Sequence, residues 1–412
     1  MNQATQRLLN RINQLGTISN SPDCLSRYYA TPAFEKAGEL LTEWMIKAGL
    51  IVTKDCVGNI RGILHSQTMD AKHFVVGSHY DSVHNAGKYD GPLGILVGIE
   101  LAIHAEEKGT ALPFHLNVVA FADEEGARFN TSYLGSSVLA GNFNMEWLDR
   151  TDDDDISIKE IIEKEGNIAS IPNFAIPADD WLGYYEIHIE QGPVLEDKGQ
   201  SVCCVKSIAG QDRLTISWEG MAGHAGTSPM GLRKDAYCGA AEFALAVEEL
   251  AMNHRETLVA TVGKLNLFPN TSNVIPEKVT HTLDIRSADE KFLDDMVNKL
   301  ENIAKNIASK RELVLKWDLV QANPPVQCDQ ELNKALSAAI TSIGVEPIGL
   351  LSGAGHDGVM ISEVAPITML FVRSKAGISH NPLEFTSPED IQDAITVSIN
   401  YLENLILAFG GE

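Results

Sequence analysis

The chain has 412 residues, of which 44% are apolar, so it can form two or three domains with sizeable hydrophobic cores. Its formal net charge of −24 at pH 7 opposes binding to nucleic acids and anionic membranes, and we expect neither as a partner. No apolar run approaches the roughly 18 residues of a membrane span, and the N-terminus lacks a secretory pattern. Six cysteines without C-x-x-C spacing predict free, buried thiols and a cytoplasmic location.

Strands and helices are predicted to alternate along the first half of the chain. Thr31 and Pro32 at one end and Gly49 at the other are typical of a capped helix. The alternation as a whole predicts an α/β sheet. The predicted strands are Ile51–Lys54, Asn59–Leu64, His73–Gly77, Phe114–Phe121 and Tyr184–His188, and the further helices are Gly94–Glu107 and one near Ser157–Glu165.

The pattern changes at about Ser207, where the predicted order becomes strand, helix, strand, strand, helix, strand. This order is that of the ferredoxin-like split motif, a four-stranded sheet with two helices. We therefore expect an inserted domain, 208–322, within a catalytic domain formed by 1–207 and 323–412. The inserted elements are Arg213–Glu219, Asp235–His254, Val259–Leu267, Val279–Arg286, Asp289–Arg311 and Leu313–Val320, and afterwards come Glu331–Ile343, Ile367–Phe371 and a helix from Pro388 to about Leu407.

Residues that can bind metal follow the predicted strands at their carboxyl ends, where open α/β sheets place their ligand sites. His79 and Asp81 follow the strand that begins at His73. In such a pair, one imidazole nitrogen can bind a metal ion while the carboxylate orients the ring. Asp90 lies in a turn-forming Asp-Gly-Pro sequence that can direct its short side chain back towards His79.

Further along the chain, Glu124 and Glu125 follow another strand, and His188 and His380 add two imidazoles. Adjacent side chains on an extended segment point in different directions, so one glutamate can bind metal while the other acts as a general base. Imidazole with carboxylate suits zinc, and also manganese or cobalt. Each pattern alone is common on ordinary protein surfaces. Their occurrence together at successive strand ends predicts a hydrolytic site with two metal ions, which would lower the pKa of a shared water.

Six segments together resemble the amidohydrolases that cleave N-carbamoyl groups, a family with allantoate amidohydrolase, N-carbamoyl-L-amino-acid hydrolase and β-ureidopropionase. It belongs to the superfamily of dinuclear aminoacylases and carboxypeptidases. The resemblance covers nearly the whole chain, and the motifs His-Ile-Glu-Gln-Gly and Glu-Glu-Gly-x-Arg-Phe are specific to the carbamoyl-cleaving branch. The segments are Gly77–Ser82, Ala86–Gly91, Asp123–Phe129, His188–Pro193, Gly223–Thr227 and Ile378–Pro382.

The resemblance implies a mixed-sheet, dinuclear-zinc catalytic domain with an inserted ferredoxin-like lid and dimerisation domain. It also implies two divalent ions per subunit, zinc or manganese, with cobalt as an alternative. Asp90 would bridge them, Glu124 would be the general base, and Asp81 would lie behind a metal-binding histidine. The metal ligands would be His79, Asp90, Glu125, His188 and His380.

Four further positions match substrate-handling residues of that family. Gln191 would lie beside the metal ions, and His224 would stabilise the oxyanion across a homodimer contact. Asn273 and Arg286 would bind the substrate, with Arg286 holding a carboxylate, because a guanidinium fork binds carboxylate bidentately. The alternative interpretations are a turn residue for Asn273 and a surface ion pair for Arg286.

The resemblance implies that the substrate is a small ureido compound. The segment Ala209–Arg213 resembles the allantoate enzymes, in which an arginine at the position of Arg213 meets the substrate. Allantoate, an intermediate of purine catabolism, is therefore the first candidate, with hydrolysis releasing ammonia and carbon dioxide. A solvent-facing Arg213 remains the alternative interpretation. Hydrolysis of an N-carbamoyl-L-amino acid or of N-carbamoyl-β-alanine is the second candidate. An aminoacylase or dipeptidase, or a non-catalytic binding protein, would share the fold.

Overall fold

The computed structural model describes residues 2–109 and 111–410. The predicted helices and strands are present there, with ends that shift by three residues or fewer. The helices are α1 (Gln3–Leu15), α2 (Pro32–Lys47), α3 (Pro92–Lys108), α4 (Leu134–Ala140), α5 (Ile158–Glu165), α6 (Val194–Asp197), α7 (Ala236–Asn253), α8 (Glu290–Arg311), α9 (Gln330–Ser342), α10 (Gly358–Ile361) and α11 (Pro388–Phe409). The strands are β1 (Ile51–Lys54), β2 (Ile60–Leu64), β3 (His73–His79), β4 (His115–Phe121), β5 (Trp181–Ile189), β6 (Val202–Ile208), β7 (Gly210–Glu219), β8 (Gly223–His224), β9 (Val259–Phe268), β10 (Val274–Ile275), β11 (Lys278–Ser287), β12 (Val314–Asn323), β13 (Val326–Gln327), β14 (Gly349–Ser352) and β15 (Ile367–Val372).

The chain divides into two compact units. The first unit is discontinuous and comprises Met1–Lys206 and Gln327–Glu412, and the second is the continuous segment Ser207–Val326. The predicted second boundary, 322, falls before the end of β12, which runs to Asn323.

The first unit contains a mixed sheet in which the strands follow the spatial order β1-β2-β4-β3-β5-β15-β6, with β14 beside β6. The central strands β4, β3, β5 and β15 are parallel to one another, whereas β2 and β6 run antiparallel to their neighbours. Helix α3 packs on this sheet and also contacts α1 and α11, which explains why its residues from Pro92 to Ala102 are all buried. Because parallel strands share an edge at their carboxyl ends, the residues after β3, β4, β5 and β15 meet on one side of the sheet.

The second unit is an antiparallel sheet with two helices. Its elements follow the chain order β7-α7-β9-β11-α8-β12, with the small β8–β10 pair in addition, and the spatial strand order is β12-β7-β11-β9. One face of the sheet forms a separate hydrophobic core with α7 and α8, built around Trp218, Phe243 and Leu300. The alternation of buried and more exposed residues along β11 shows that its other face is polar.

The cysteines are free, as predicted, but they are not all buried. Cys56, Cys203, Cys204 and Cys328 are buried, whereas Cys24 is half-buried and Cys238 is exposed, so the prediction of burial is wrong for these two. Among residues 2–109 and 111–410, every helix is too short or too polar to span a bilayer.

Candidate metal centre

The predicted metal ligands of the first unit converge at the carboxyl edge of the central strands. His79 is the last residue of β3, and His188 is the penultimate residue of β5. Glu124 and Glu125 follow the end of β4, and Asp90 directly precedes the cap of α3. His380 arrives from the loop after β15. The position of each ligand therefore follows from the strand order.

Asp90 is the centre of this cluster, because each of its two carboxylate oxygens faces different partners. The Oδ1 atom lies 3.0 Å from His188 Nε2 and 3.6 Å from His79 Nε2. The Oδ2 atom lies 3.2 Å from His380 Nε2, which is also 3.2 Å from Glu125 Oε1. Two groups of three possible ligands thus share Asp90, each with its ligand atoms within 4.8 Å of one another. A third such group joins His79, Glu124 and Glu125.

The buried histidines are fixed in the tautomer that exposes Nε2 to Asp90. His188 Nδ1 lies 2.9 Å from the carbonyl oxygen of Ile189, and His79 Nδ1 lies 3.3 Å from that of Asp81. A carbonyl oxygen can only accept, so both Nδ1 atoms donate, and each neutral ring then has its lone pair on Nε2. This lone pair points towards a carboxylate oxygen, Asp90 Oδ1, that is buried and makes no hydrogen bond of good geometry in the described structure. Only a proton or a cation between the two atoms makes this arrangement favourable.

Asp81 lies behind His79 and holds the acidic segment in place. Its Oδ1 is 3.7 Å from His79 Nδ1 and accepts a hydrogen bond of 3.1 Å from the backbone N–H of Glu124. Its Oδ2 accepts a bond of 3.2 Å from the N–H of Glu125. One buried carboxylate thus orients both glutamates that follow β4 and places a negative charge beside the Nδ1 atom of His79.

Glu384 is a component of the site that sequence reasoning missed. Its Oε1 accepts hydrogen bonds from the backbone N–H groups of Tyr89, at 2.7 Å, and Asp90, at 3.1 Å. Ser379 Oγ lies 3.4 Å from Glu384 Oε2 and donates to Asp90 Oδ2 at 3.1 Å. A Cβ atom at Gly87 would come within 2.2 Å of the Glu384 side chain, so only glycine permits this approach. Glu384 therefore ties the Asp90 loop to the segment that carries His380.

Gln191, predicted to lie beside the metal ions, donates from Nε2 to Asp90 Oδ2 at 3.1 Å. Gln191, Asp123 and His380 all adopt left-handed backbone conformations, with φ of 57°, 53° and 53°. Such conformations cost about 1–3 kcal/mol each for residues other than glycine and cluster at functional sites. Gly91 has a φ of 81°, and a Cβ atom there would lie 2.4 Å from the carbonyl oxygen of His79. Close packing at this edge is thus maintained against local strain.

The charges around the cluster shift the pKa values of its members strongly. Burial, together with Glu125, raises the pKa of Glu124 well above its usual value despite the opposing effect of His79. Burial alone would raise the pKa of Asp90, but the surrounding histidines, led by His188, hold it well below its usual range. Hydrogen bonds to Asp90 and Glu125 raise the pKa of His380 to about 10.

These shifts predict that metal binding releases protons. Burial alone would lower the pKa values of His79 and His188, but Asp90 raises both above the usual histidine value, and the pKa of His380 is about 10, so the cluster holds protons more tightly than free histidines do. A metal ligand must be deprotonated, so each bound ion displaces protons and its apparent affinity rises with pH. Calorimetric titration with Mn²⁺ should give heats that differ between PIPES and Tris buffers. The affinity should still be rising at about pH 8.5, well above the usual histidine pKa of about 6.5. Heats independent of the buffer, with an affinity constant above pH 7.5, would contradict this.

The predicted substrate residues of the second unit form two pairs. Arg213 on β7 and Arg286 on β11 both donate to Asp284 Oδ2, each at 3.1 Å. His224 ends β8 and is exposed, and the carbonyl oxygen of Asn273 accepts a bond of 3.0 Å from Ala225, next to His224. Asp284 was not predicted from the sequence, although its position directly opposite Arg213 in the β7–β11 register makes the pairing a natural one.

Comparison with known proteins agrees with this geometry. Residues 75–404 match the peptidase family M20/M25/M40. The N-carbamoyl-L-amino acid amidohydrolase of Geobacillus stearothermophilus is 38% identical over 387 residues, or 93% of this chain and 94% of that protein. Allantoate deiminase 1 of Glycine max is 36% identical over 429 residues, or 96% of this chain and 88% of that protein.

A crystal structure of an amidase of the hydantoinase/carbamoylase family from Burkholderia multivorans has a TM-score of 0.89 and 32% sequence identity, with 97% of each chain covered. The resemblance stated from the sequence motifs is therefore confirmed, and so is a mixed α/β fold. The chain belongs to the peptidase family M20/M25/M40, a family of metal-dependent hydrolases.

Proposed function

We propose that this protein hydrolyses the ureido C–N bond of a small carboxylate-bearing substrate, using two divalent metal ions. The observation that carries the proposal is the pair of three-ligand groups that share Asp90. The curated relatives named for N-carbamoyl amino acids and for allantoate, each similar over nearly the whole chain, support the ureido substrate class. Allantoate is our first candidate because the allantoate enzymes have an arginine at the position of Arg213. This arginine would be a second polar anchor for the substrate.

The residues of the cluster fit such ions. Asp90 Oδ1 and Gln191 Oε1 are buried without a hydrogen-bond partner in the described structure, so both can accept a cation or its ligand. His79, Asp90 and His188 would hold one ion, and Asp90, Glu125 and His380 the other, in the arrangement that imidazole and carboxylate offer to zinc, manganese or cobalt. Two ions so held would polarise a ureido carbonyl and lower the pKa of a water molecule.

The chain's own residues then move the proton and hold the substrate. Glu124, buried beside His79 and Glu125, takes the proton of the attacking water and delivers it to the departing nitrogen. His224 donates to the oxyanion of the tetrahedral intermediate. Arg286 and Asn273 bind the substrate carboxylate and amide groups, and the carbamate product decomposes to ammonia and carbon dioxide.

Hydrolysis of an N-carbamoyl-L-amino acid is the second candidate, favoured by the 38% identity to an enzyme of that name. An ammonia-release assay with Mn²⁺-loaded protein should separate the candidates. We would compare allantoate, N-carbamoyl-L-amino acids, N-carbamoyl-β-alanine and ureidoglycolate, with a dipeptide panel as the control for ordinary peptidase activity. Release of ammonia from allantoate at the highest kcat/KM is the expected result. Turnover of dipeptides alone would refute the ureido function.

We propose that the second unit acts as a lid and forms a homodimer through the outer strand β9. Val259, Leu265 and Phe268 on this strand are 49–60% exposed, and Leu245 and Met252 on α7 are 67% and 62% exposed. Open apolar strand edges tend to pair with another chain. Leu245→Lys combined with Val259→Lys should therefore convert the dimer to a monomer in light-scattering measurements.

The matched control for this prediction is Leu319→Lys on β12, the opposite outer strand, where Leu319 is 57% exposed. This variant should remain dimeric. A dimer that survives the β9 substitutions but not the β12 substitution would place the interface at the other edge of the sheet. A monomeric wild-type protein would rule out the homodimer.

The proposed contribution of His224 across the dimer can be tested by mixing two inactive variants. If His224 of one subunit serves the site that contains Glu124 of the other, a mixed dimer of His224→Ala and Glu124→Gln subunits has one site with both native residues. Random re-association should then restore about a quarter of wild-type activity, because half of the dimers are mixed and each has one intact site of two. Absence of recovery, with mixed dimers demonstrated by mass spectrometry, would show that His224 acts within its own subunit.

A further inference from the structure

A row of charged and polar side chains crosses two neighbouring strands of the second unit. In the β7–β11 register, Arg213 lies opposite Asp284, and Gln211 lies opposite Arg286. The residues that alternate with them, including Leu214 and Ile285, are buried in the core beneath the helices. The row therefore lies on the sheet face that the helices leave uncovered.

Asp284 is the acceptor at the centre of this row. Its Oδ2 accepts hydrogen bonds from Gln211 Nε2 at 2.7 Å, Arg213 Nε at 3.1 Å and Arg286 Nη2 at 3.1 Å. Its Oδ1 accepts from Arg286 Nε at 2.7 Å. The Nε–Nη2 edge of Arg286 is thus held bidentately, which fixes the plane of the guanidinium. Gln321 Oε1 lies 3.4 Å from Arg213 Nη1, so the second guanidinium is oriented from two sides.

The charge of this row is set by one carboxylate between two guanidinium groups. Arginine stays protonated in proteins, so Arg213 and Arg286 contribute two positive charges. Burial alone would raise the pKa of Asp284, but its bonds to Arg286 and Arg213 lower it, so Asp284 is ionised at neutral pH. The row therefore presents one net positive charge to a ligand, although it contains two arginines.

We propose that Asp284 makes this enzyme selective for substrates with a single carboxylate. This inference rests on the proposed function, in which Arg213 and Arg286 bind the substrate. One net positive charge matches a monoanion such as allantoate or N-carbamoyl-L-alanine. A dianion such as N-carbamoyl-L-aspartate would place its second carboxylate near Asp284 and meet repulsion instead of a partner. Asp284 is a positioning and specificity residue and takes no part in the chemical step.

The test compares inhibition constants of N-carbamoyl-L-alanine and N-carbamoyl-L-aspartate, measured against the best ureido substrate. Asp284→Asn keeps one acceptor oxygen but removes the charge. In this variant, the inhibition constant of N-carbamoyl-L-aspartate divided by that of N-carbamoyl-L-alanine should fall at least about tenfold, because close unit charges interact strongly at a protein surface. Asp284→Glu retains a negative charge at this position and should therefore keep the wild-type ratio. Asp295→Asn, an exposed carboxylate on α8, makes the same change in net charge and should also leave the ratio unchanged.

Several outcomes would overturn the inference. A folded Asp284→Asn variant with the wild-type ratio would show that the carboxylate does not select for substrate charge. If Asp284→Asn does not fold, Asp284→Glu is the deciding variant. A lowered ratio in Asp284→Glu, which still carries the negative charge, would show that this charge does not determine the ratio. An equal fall in Asp295→Asn would attribute the effect to net charge alone. Failure of the proposed function is distinct from all of these, because the wild-type protein would then release no ammonia from any ureido compound.

Discussion

Glu124→Gln is expected to lower kcat by 10²–10⁴-fold while two metal ions per chain remain bound. Glutamine has nearly the same shape but cannot accept the proton of the attacking water. Glu124 is only 8% exposed, and burial raises its pKa well above the usual value, which makes its carboxylate a stronger base. Its neighbours His79 and Glu125 are the other members of its three-residue group.

Metal content distinguishes the possible results for this variant. Elemental analysis should give the wild-type metal-to-protein ratio, and the melting temperature should change little. Glu163→Gln, the same substitution at an exposed position on α5, is the control and should be fully active. Loss of one ion from Glu124→Gln would make Glu124 a ligand, and wild-type turnover would remove it from the mechanism altogether.

Asp90→Asn is expected to abolish activity through loss of metal. The two oxygens of Asp90 face different partners, His188 on one side and His380 on the other. An amide has only one oxygen and no charge, so at most one of the two ions can keep its ligand set. Metal content should fall from two ions per chain to one or none, and activity should fall by well over the 10–100-fold typical of residues that only orient a ligand.

Glu384→Gln is the matched control for Asp90→Asn, because Glu384 contacts the Asp90 loop but belongs to none of the three groups of possible metal ligands. Its amide oxygen can still accept from the N–H groups of Tyr89 and Asp90. We therefore expect a loss of at most 10–100-fold in metal affinity, with both ions bound at saturating Mn²⁺. Two ions bound to Asp90→Asn with wild-type affinity would show that Asp90 is not shared between them.

Much of the fold could be predicted because hydrophobic periodicity and capping residues agree with the final packing. Helix α2, for example, begins after the Thr31 cap and has Pro32 in its first turn, as the sequence predicts. Several elements of the first unit were not predicted, among them α4, α6, α10, β6 and β14. Helix α4 contains Gly135 and two serines, which have low helix propensity, and it is helical because it is buried and packs against α10.

The metal ligands could be predicted because they combine metal-binding side chains with positions at strand ends and a family resemblance. Glu384 and Asp284 carry neither signal. Glu384 is an acid in a loop, and its role depends on contacts with Tyr89 and Asp90, which are almost 300 residues away in the chain. Asp284 is a polar residue on the outer face of a strand, where such residues are usually solvated. Only the strand register shows that it lies between two arginines.

The position of β15 has a consequence for how the protein is made. This strand lies between β5 and β6 in the sheet of the first unit, yet it is translated after the whole of the second unit. A nascent chain that has emerged only as far as Val326 therefore has a gap in its central sheet, whereas the segment Ser207–Val326, a separate compact unit, is already complete. Until the ribosome delivers the last quarter of the chain, the open edges of β5 and β6 are targets for chaperones or for misassembly.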